Sequence, residues 1–202
     1  LIVAKSTDGG QTYSATTVAD TPNTNIAGND KWILATGPDP VDASKQNVYV
    51  AWTQNTGTPV STTEQKIVLS ASKDGGATFS APVKVNDTTK TGQLFAEPVV
   101  GKDGKLYVSW QDIAFGGTVQ VDVSTDAGAT WGTDNTVTGW NPAFNDAFSE
   151  LIPAQAQRGI SAGPTIEADQ STGRIYEAYV DVTGTMPNTD IFVRYSDDDG
   201  TT

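Results

Sequence analysis

Residues 124–131 read STDAGATW, and the same eight-residue pattern occurs three more times along the chain. The shared frame is Ser-x-Asp-x-Gly-x-Thr-aromatic, and we call each copy an octet. The other octets are STDGGQTY at 6–13, SKDGGATF at 72–79 and SDDDGTT at 196–202, which lacks the aromatic position. A pattern that recurs at this scale indicates one supersecondary unit copied along the chain.

The chemistry of the octet predicts a tight turn between two strands. Asp126 can accept hydrogen bonds from backbone N–H groups just ahead of it, and Gly128 can take a positive φ. Ser124 and Thr130 can bond backbone groups through their hydroxyls, and Trp131 can anchor the turn on a core. We therefore predict structural, locally bonded turns, facing away from any central pocket, at Ser6, Asp8, Gly10, Thr12, Tyr13, Ser72, Asp74, Gly76, Thr78, Phe79, Ser124, Asp126, Gly128, Thr130, Trp131, Ser196, Asp198, Gly200 and Thr202.

Composition excludes several classes of function. The 24 acidic residues outnumber the 12 basic ones, and the net charge of −12 argues against nucleic acid as a partner. No apolar run is long enough to predict a membrane span. The chain has no Cys and no His, so Cys–His and Ser–His nucleophilic sites, thiolate zinc sites and imidazole metal ligands cannot be built from it. Its acidic, Thr-, Asn- and Gly-rich composition favours an extracellular or cell-surface location.

The strands repeat in a fixed order. VYVAW at 48–52, LYVSW at 106–110 and IYEAY at 175–179 align as the second strand of successive units, and each octet then falls between the third and fourth strands. Four-stranded antiparallel units in series are typical of an all-β propeller. Part of the segment 139–163 is the one candidate for a helix.

We predict a single propeller segment with five parts. Residues 1–19 end one blade, 30–86 and 96–138 are complete blades, 139–163 form an inserted loop, and 164–202 supply the first three strands of a further blade. At roughly 60 residues a blade, the chain is expected to be about half of a six-bladed propeller. Because both ends expose strand edges, we expect residues 1–202 alone not to form a stable monomer. The remaining blades, or another copy, would be partners.

The octets resemble the Asp-box, or bacterial neuraminidase repeat, of sialidase-like β-propellers. The segment NDKWILATGPDP at 29–40 also resembles a stretch of secreted bacterial sialidase-like proteins of unknown activity. The resemblance covers nearly the whole chain. It implies a propeller with the octets as structural turns on the blade rim, and it implies no particular chemistry.

Catalytic members of the sialidase family have three Arg for the substrate carboxylate, a Tyr nucleophile paired with Glu, an Asp acid/base, and an Arg-Ile-Pro motif before the first blade. This chain has no such motif, and we interpret its three arginines, Arg158, Arg174 and Arg194, as surface residues. Tyr176 and Glu177 are adjacent, so on a strand they point to opposite faces and cannot act as a pair. We therefore predict no catalytic residue.

Four further acids are candidate ligands. Asp112 and Asp181 lie at equivalent strand ends, where we expect solvated carboxylates, with a calcium ligand as the alternative. Asp197 and Asp199 flank the turn residue Asp198 and are also expected to be solvated. Apart from this calcium alternative, no cofactor is expected.

The inserted loop contains Trp140, Phe144 and Phe148, which we interpret as a small apolar anchor, with a binding lip as the alternative. The leading hypothesis is a non-catalytic segment of a secreted or cell-surface propeller that binds a protein or glycan or acts as a structural module. The alternative is part of an exo-sialidase or related glycoside hydrolase whose catalytic residues are completed by other blades.

Overall fold

The computed structural model of the chain describes residues 1–18, 26–58, 61–89, 91–113, 117–142, 150–161, 163–185 and 187–202. Within these ranges the regular structure consists of fifteen β-strands and no helix. The predicted all-β class is therefore confirmed.

The strands are numbered in chain order. They are β1 Ile2–Lys5, β2 Ser14–Thr17, β3 Ile26–Pro38, β4 Gln46–Thr58, β5 Ser61–Ser72, β6 Val83–Lys84, β7 Gln93–Val100, β8 Leu106–Asp112, β9 Thr118–Ser124, β10 Asn135–Gly139, β11 Glu150–Ile152, β12 Gln155–Ile160, β13 Thr165–Ala168, β14 Ile175–Val182 and β15 Thr189–Ser196.

Each sheet is an antiparallel meander in chain order. Strands β3 to β6 and β7 to β10 form two four-stranded sheets, and β13 to β15 form a three-stranded sheet. Strands β1 and β2 pair as a hairpin, and β11 and β12 pair as another. In both four-stranded sheets an octet connects the third strand to the fourth. Serial four-stranded meanders of this kind are the blades of a β-propeller.

Apolar layers between successive sheets hold the sheets together. On β8, Leu106, Val108 and Trp110 face the sheet before, where they pack with Tyr49 and Leu69. The alternate residues of a strand point to the opposite face. Tyr107 accordingly faces the sheet after and packs with Val99, Val121 and Ile166. Both faces of the sheet β7–β10 are therefore covered.

The hairpin turns of neighbouring sheets also interlock. A Cβ built on Gly104, which has a φ of 79°, would lie 2.6 Å from the backbone of Pro40. A Cβ on Gly37 would lie 2.4 Å from the side chain of Val100. Side chains at these two glycines would force the sheets apart, which explains why glycine is required at both.

Two boundaries differ from the prediction. Strand β3 begins at Ile26, before the predicted start of the first complete blade at residue 30, because its pairing with β4 continues past a bulge to Thr56. In the described part of the inserted segment, residues 150–161 contain the hairpin β11–β12 and no helix, while residues 143–149 of the helix candidate lie outside the described residues. Pro153 lies in the turn between these strands, a position where its fixed φ favours a turn over a helix.

Candidate functional site

The third octet satisfies its own carboxylate. The hydroxyl of Ser124 donates to Asp126 Oδ1 over 2.8 Å and accepts from the N–H of Gly128 over 2.9 Å. Thr130 donates its N–H to Asp126 Oδ1 over 2.9 Å and its hydroxyl to Oδ2 over 2.6 Å. Ala127 and Gly128 have φ values of 63° and 81°. The turn therefore contains two residues in the left-handed conformation, and the carboxylate of Asp126 accepts hydrogen bonds from within the same turn.

The other octets have the same contacts. Asp8, Asp74 and Asp198 each accept the hydroxyl and the N–H of the Thr four residues ahead, namely Thr12, Thr78 and Thr202. Hydrogen bonds from Thr12 and Thr78 hold the pKa of Asp8 and Asp74 well below the ordinary range. Ser196, followed by Thr202, lowers the pKa of Asp198 to about 2. The carboxylates of these three octets therefore accept hydrogen bonds from residues of their own turns.

Replacing Ser124 with alanine is expected to lower the free energy of unfolding by about 1–3 kcal/mol, because Ser124 is buried and the N–H of Gly128 would lose its partner. The matched control is Thr125→Ala, an exposed neighbour in the same turn, for which we expect a change within about 0.5 kcal/mol. Urea denaturation compares the two variants. Equal losses would show that the hydroxyl of Ser124 contributes nothing specific.

The octet aromatics are not equivalent. Trp131 and Phe79 are partly buried, against the layers that contain Leu69 and Trp52 respectively. Tyr13 is 66% exposed, so the predicted anchoring was wrong for this copy. The hairpin β1–β2 offers no apolar layer to its ring among the described residues.

The side chains of the two acids beside Asp198 remain 61% exposed for Asp197 and 42% exposed for Asp199, which agrees with the prediction of solvated carboxylates, and both also form specific contacts. Asp197 receives two hydrogen bonds from the guanidinium of Arg174, over 2.7 and 2.8 Å. The same guanidinium lies 4.1 Å from the centre of the Tyr195 ring. Asp199 accepts from Lys105 over 2.8 Å and from the hydroxyl of Tyr107. The last octet is thereby bonded to the sheet before it.

The strand-end acids Asp112 and Asp181 are buried, so the prediction of solvated carboxylates was wrong for these two residues. The inserted loop folds over Asp181, which accepts the N–H of Asn141 over 3.0 Å and that of Val182 over 2.7 Å. In the described part of the chain, no group of three or more acidic side chains is arranged to hold a metal ion. Calcium binding stays a prediction.

The inserted loop is anchored by Trp140. Its side chain is buried, and its indole N–H donates to the carbonyl of Val180 over 2.9 Å. Phe144 and Phe148, which the sequence places in the same loop, lie outside the described residues.

The candidate catalytic residues have separate partners. Arg174 binds Asp197, while Arg194 donates to the hydroxyl of Tyr179 over 3.2 Å. Arg158 lies on the separate hairpin strand β12. Tyr176 and Glu177 point to opposite faces, since Tyr176 is exposed and Glu177 is buried.

Sequence reasoning missed a pair of matching bulges in the first strands of the two complete sheets. Register shifts interrupt β3 between Asp30 and Ile33 and β7 between Leu94 and Glu97. Inside them Lys31 and Phe95 have φ values of 56° and 60°, a conformation that costs a residue with a side chain about 1–2 kcal/mol. Because neither residue is Gly, Asn or Asp, the sequence contains no signal for it.

The bulges bring the side chains of Lys31 and Phe95 together, and Trp32 follows Lys31 directly in the sequence; we call these three residues the bulge site. The ammonium of Lys31 lies 5.2 Å from the centre of the Phe95 ring. Trp32 is 59% exposed, although it is among the largest apolar side chains. Bulges and strained backbone are over-represented beside functional sites.

Sequence reasoning also missed a buried acid between the third and last sheets. Glu177 is 4% exposed, and the hydroxyl of Ser109 donates to its Oε1 over 2.8 Å, whereas its Oε2 has no partner among the described residues. Burial raises the pKa of Glu177 to about 8, and the nearby carboxylate of Glu97 adds to the effect. Burial also raises the pKa of Glu97. The alignment contained the signal, because Glu177 stands where the other second strands have Val50 and Val108.

Comparison with known proteins shows likeness in structure only. No protein-family model matches the chain, and no curated protein sequence matches it. A Hadza microbial sialidase, Hz136, superimposes with a TM-score of 0.63 at 19% identity, over 100% of this chain and 39% of that one. A protein of unknown function from Dyadobacter fermentans DSM 18053 gives 0.56 at 17% identity, over 91% of this chain and 55% of that one.

A polysaccharide lyase of family PL25, an ulvan lyase, gives a TM-score of 0.58 at 12% identity, over 99% of this chain and 48% of the lyase. The fold is that of a β-propeller. The chain spans between about two fifths and a little over half of the length of these three structures. Nowhere in the described residues does a helix reach the length and apolarity that crossing a bilayer requires.

Proposed function

We propose that this chain is a non-catalytic segment of a secreted or cell-surface β-propeller that binds a glycan at the bulge site. In this proposal the octets are Asp-box turns, and the remaining blades come from the same propeller or from another copy. The observation that carries the proposal is the exposed Trp32 beside the strained, cationic Lys31.

The chemistry of the bulge site fits a sugar ring. An indole face offers a large, rigid apolar surface that can cover the C–H face of a sugar. Binding sites of this type add a few placed polar groups to an apolar floor. Here Lys31 supplies a cation and Asp30 a carboxylate, and both are exposed beside Trp32. A ligand over Trp32 would remove from water an apolar surface that the fold leaves uncovered.

The sialidase alternative has no comparable support. Its chemistry needs arginines that converge on one carboxylate. Arg174 is instead paired with Asp197, and Arg194 is bonded to Tyr179.

Replacing Trp32 with alanine is expected to weaken glycan binding at least about tenfold, the loss typical of a central aromatic contact. The probe is a glycan array, followed by calorimetric titration of the glycan that binds best. Tyr13→Ala is the matched control, because Tyr13 is equally exposed but lies on the first octet. If both variants bind like the parent, or if the parent binds no glycan, the proposal fails.

A further inference from the structure

The outer edges of the two complete sheets are joined by a pair of aspartates. Asp87 follows β6, the last strand of the first complete sheet, and Asp134 precedes β10, the last strand of the second. Each donates its backbone N–H to the carboxylate of the other. Asp87 donates to both oxygens of Asp134 over 3.1 Å, and Asp134 donates to Asp87 Oδ2 over 3.2 Å. The pair therefore connects two segments that are 47 residues apart in sequence.

A third acid, Asp122, faces the same side from strand β9. Because Val119 and Val121 pack towards the sheet after, the alternate residue Asp122 points to the sheet before, which Asp87 follows. Asp122 is only 1% exposed, and its Oδ2 has no hydrogen-bond partner among the described residues. A buried carboxylate oxygen without a donor is costly, whereas a protonated carboxyl is neutral and can itself donate.

The internal repeat shows that the position of Asp122 does not require an acid. Its counterpart in the first complete sheet is Ser70, whose hydroxyl donates to Ser80 O over 2.6 Å. Gly132 is the counterpart of Ser80, and its N–H donates to Asp122. A Cβ on Gly132 would lie 2.9 Å from Asp122 Oδ1, so glycine leaves the space that the carboxyl occupies. One sheet thus has a neutral hydroxyl where the other has a buried acid.

The three aspartates act on one another electrostatically. Burial raises the pKa of Asp122 to about 6, and the charge of Asp87 adds to the effect. Burial also raises the pKa of Asp134 to about 6. The charges of Asp87 and Asp122 raise that pKa further, while Lys84 opposes them. The cluster therefore binds protons more readily than separate aspartates would.

The cation that faces the cluster is shared with another acid. Lys84 Nζ lies 3.1 Å from Glu64 Oε1 and donates to Thr88 O over 2.6 Å. Lys66 Nζ lies 3.4 Å from Oε2 of the same Glu64. Lys84 therefore offsets only part of the negative charge of the three aspartates.

We propose that Asp87, Asp122 and Asp134 form a pH-sensitive clasp between the two complete sheets, which a proton on Asp122 closes and the loss of that proton opens. In the closed clasp, the neutral carboxyl of Asp122 supplies an O–H donor towards the carboxylates beside it. When the proton leaves to solvent, three negative charges remain together, and the charge on Asp122 is buried. The segments at Asp87 and Asp134 then separate, and water reaches Asp122.

Native-state hydrogen exchange followed by NMR tests the clasp. The readout is the protection factor of the amides of Asp87 and Asp134, each measured against the intrinsic exchange rate at the same pH. Asp122 should titrate at about pH 6 in the closed clasp and near its ordinary value of 3.8 in the open one. We therefore expect both protection factors to fall about tenfold between pH 5 and pH 7. Unchanged protection at both amides, or a carboxyl carbon resonance of Asp122 that titrates at about pH 4, would overturn the proposal.

Two variants separate the proton on Asp122 from other effects of pH. Asp122→Ser reproduces the chemistry of the counterpart Ser70, and Asp122→Asn retains the shape of the side chain without its charge. In each variant that melts like the parent, we expect most of the tenfold fall to disappear. Glu177→Gln is the control and should retain the fall, because Glu177 is bonded to Ser109 on the other face of the second complete sheet. A parental fall in both Asp122 variants would contradict the assignment.

Discussion

Replacing Trp110 with alanine is expected to lower the free energy of unfolding by about 3–5 kcal/mol. Trp110 is completely buried between the two four-stranded sheets. Its indole N–H donates to Gln93 Oε1 over 2.6 Å. The substitution would leave a cavity between the sheets and would also leave Gln93, which is fully buried, without this partner.

Urea denaturation of the variant and the parent measures this loss. Trp32→Ala is the control, because the exposed Trp32 is expected to change stability by no more than about 0.5 kcal/mol. Trp110→Phe retains most of the side-chain volume but lacks the indole N–H, so its loss of stability measures the contribution of the hydrogen bond apart from that of the packing. Similar losses for Trp110→Ala and Trp32→Ala would mean that the packing between the sheets does not dominate stability.

The stability of the protein is expected to fall as the pH rises from about 5 to about 8, because Glu177 is buried in its protonated form. Its folded pKa of about 8 lies above the ordinary value of 4.5. Between these values the folded state retains a proton that the unfolded state has released, so the stabilisation declines by up to about 1.4 kcal/mol for each pH unit. Burial raises the pKa of Asp122 and of Asp134 to about 6, and both add to the decline below that pH.

Glu177→Gln is expected to remove most of the pH dependence of the free energy of unfolding between pH 6 and 8, because a neutral amide replaces the protonated carboxyl beside Ser109. The measurement is a series of urea denaturations across this range. Glu167→Gln, an exposed acid on the neighbouring strand, is the control and should retain the slope. A Glu177→Gln variant with the parental slope would show that Glu177 is ionised in the folded protein. As the pH falls below about 4, the unfolded state takes up protons that the octet acids, with their lowered pKa values, do not yet bind in the folded state, so the stabilisation from these acids should decline.

The fold could be predicted because its decisive signals are local. The contacts of an octet join residues at most four positions apart, from Ser124 to Gly128 and from Asp126 to Thr130. The order of the strands then follows from aligning three second strands. What could not be predicted depends on residues that are distant in sequence. The partner of Asp199 is Tyr107, and the loop that covers Asp181 is 40 residues upstream at Asn141.

The candidate site could be predicted least. The strained Lys31 and Phe95 have no sequence signature, and their proximity depends on how two sheets pack. Glu177 is the exception, because a Glu in a column of Val is visible in the alignment. Its meaning still required the structure, since only the packing shows that Ser109 is its partner.

The left-handed residue before each octet glycine is a position from which a side chain can connect the turn to another sheet. In the last two octets this position has a side chain directed to other elements, Ala127 in the layer with Leu69 and Asp199 bonded to Tyr107. In the first octet it is Gly9, which has no side chain with which to couple the turn to another sheet. In repeat proteins, the interaction free energies between neighbouring units decide whether the units unfold together or one at a time. Native-state hydrogen exchange should therefore show β1 and β2 opening first, while β14 exchanges together with β8.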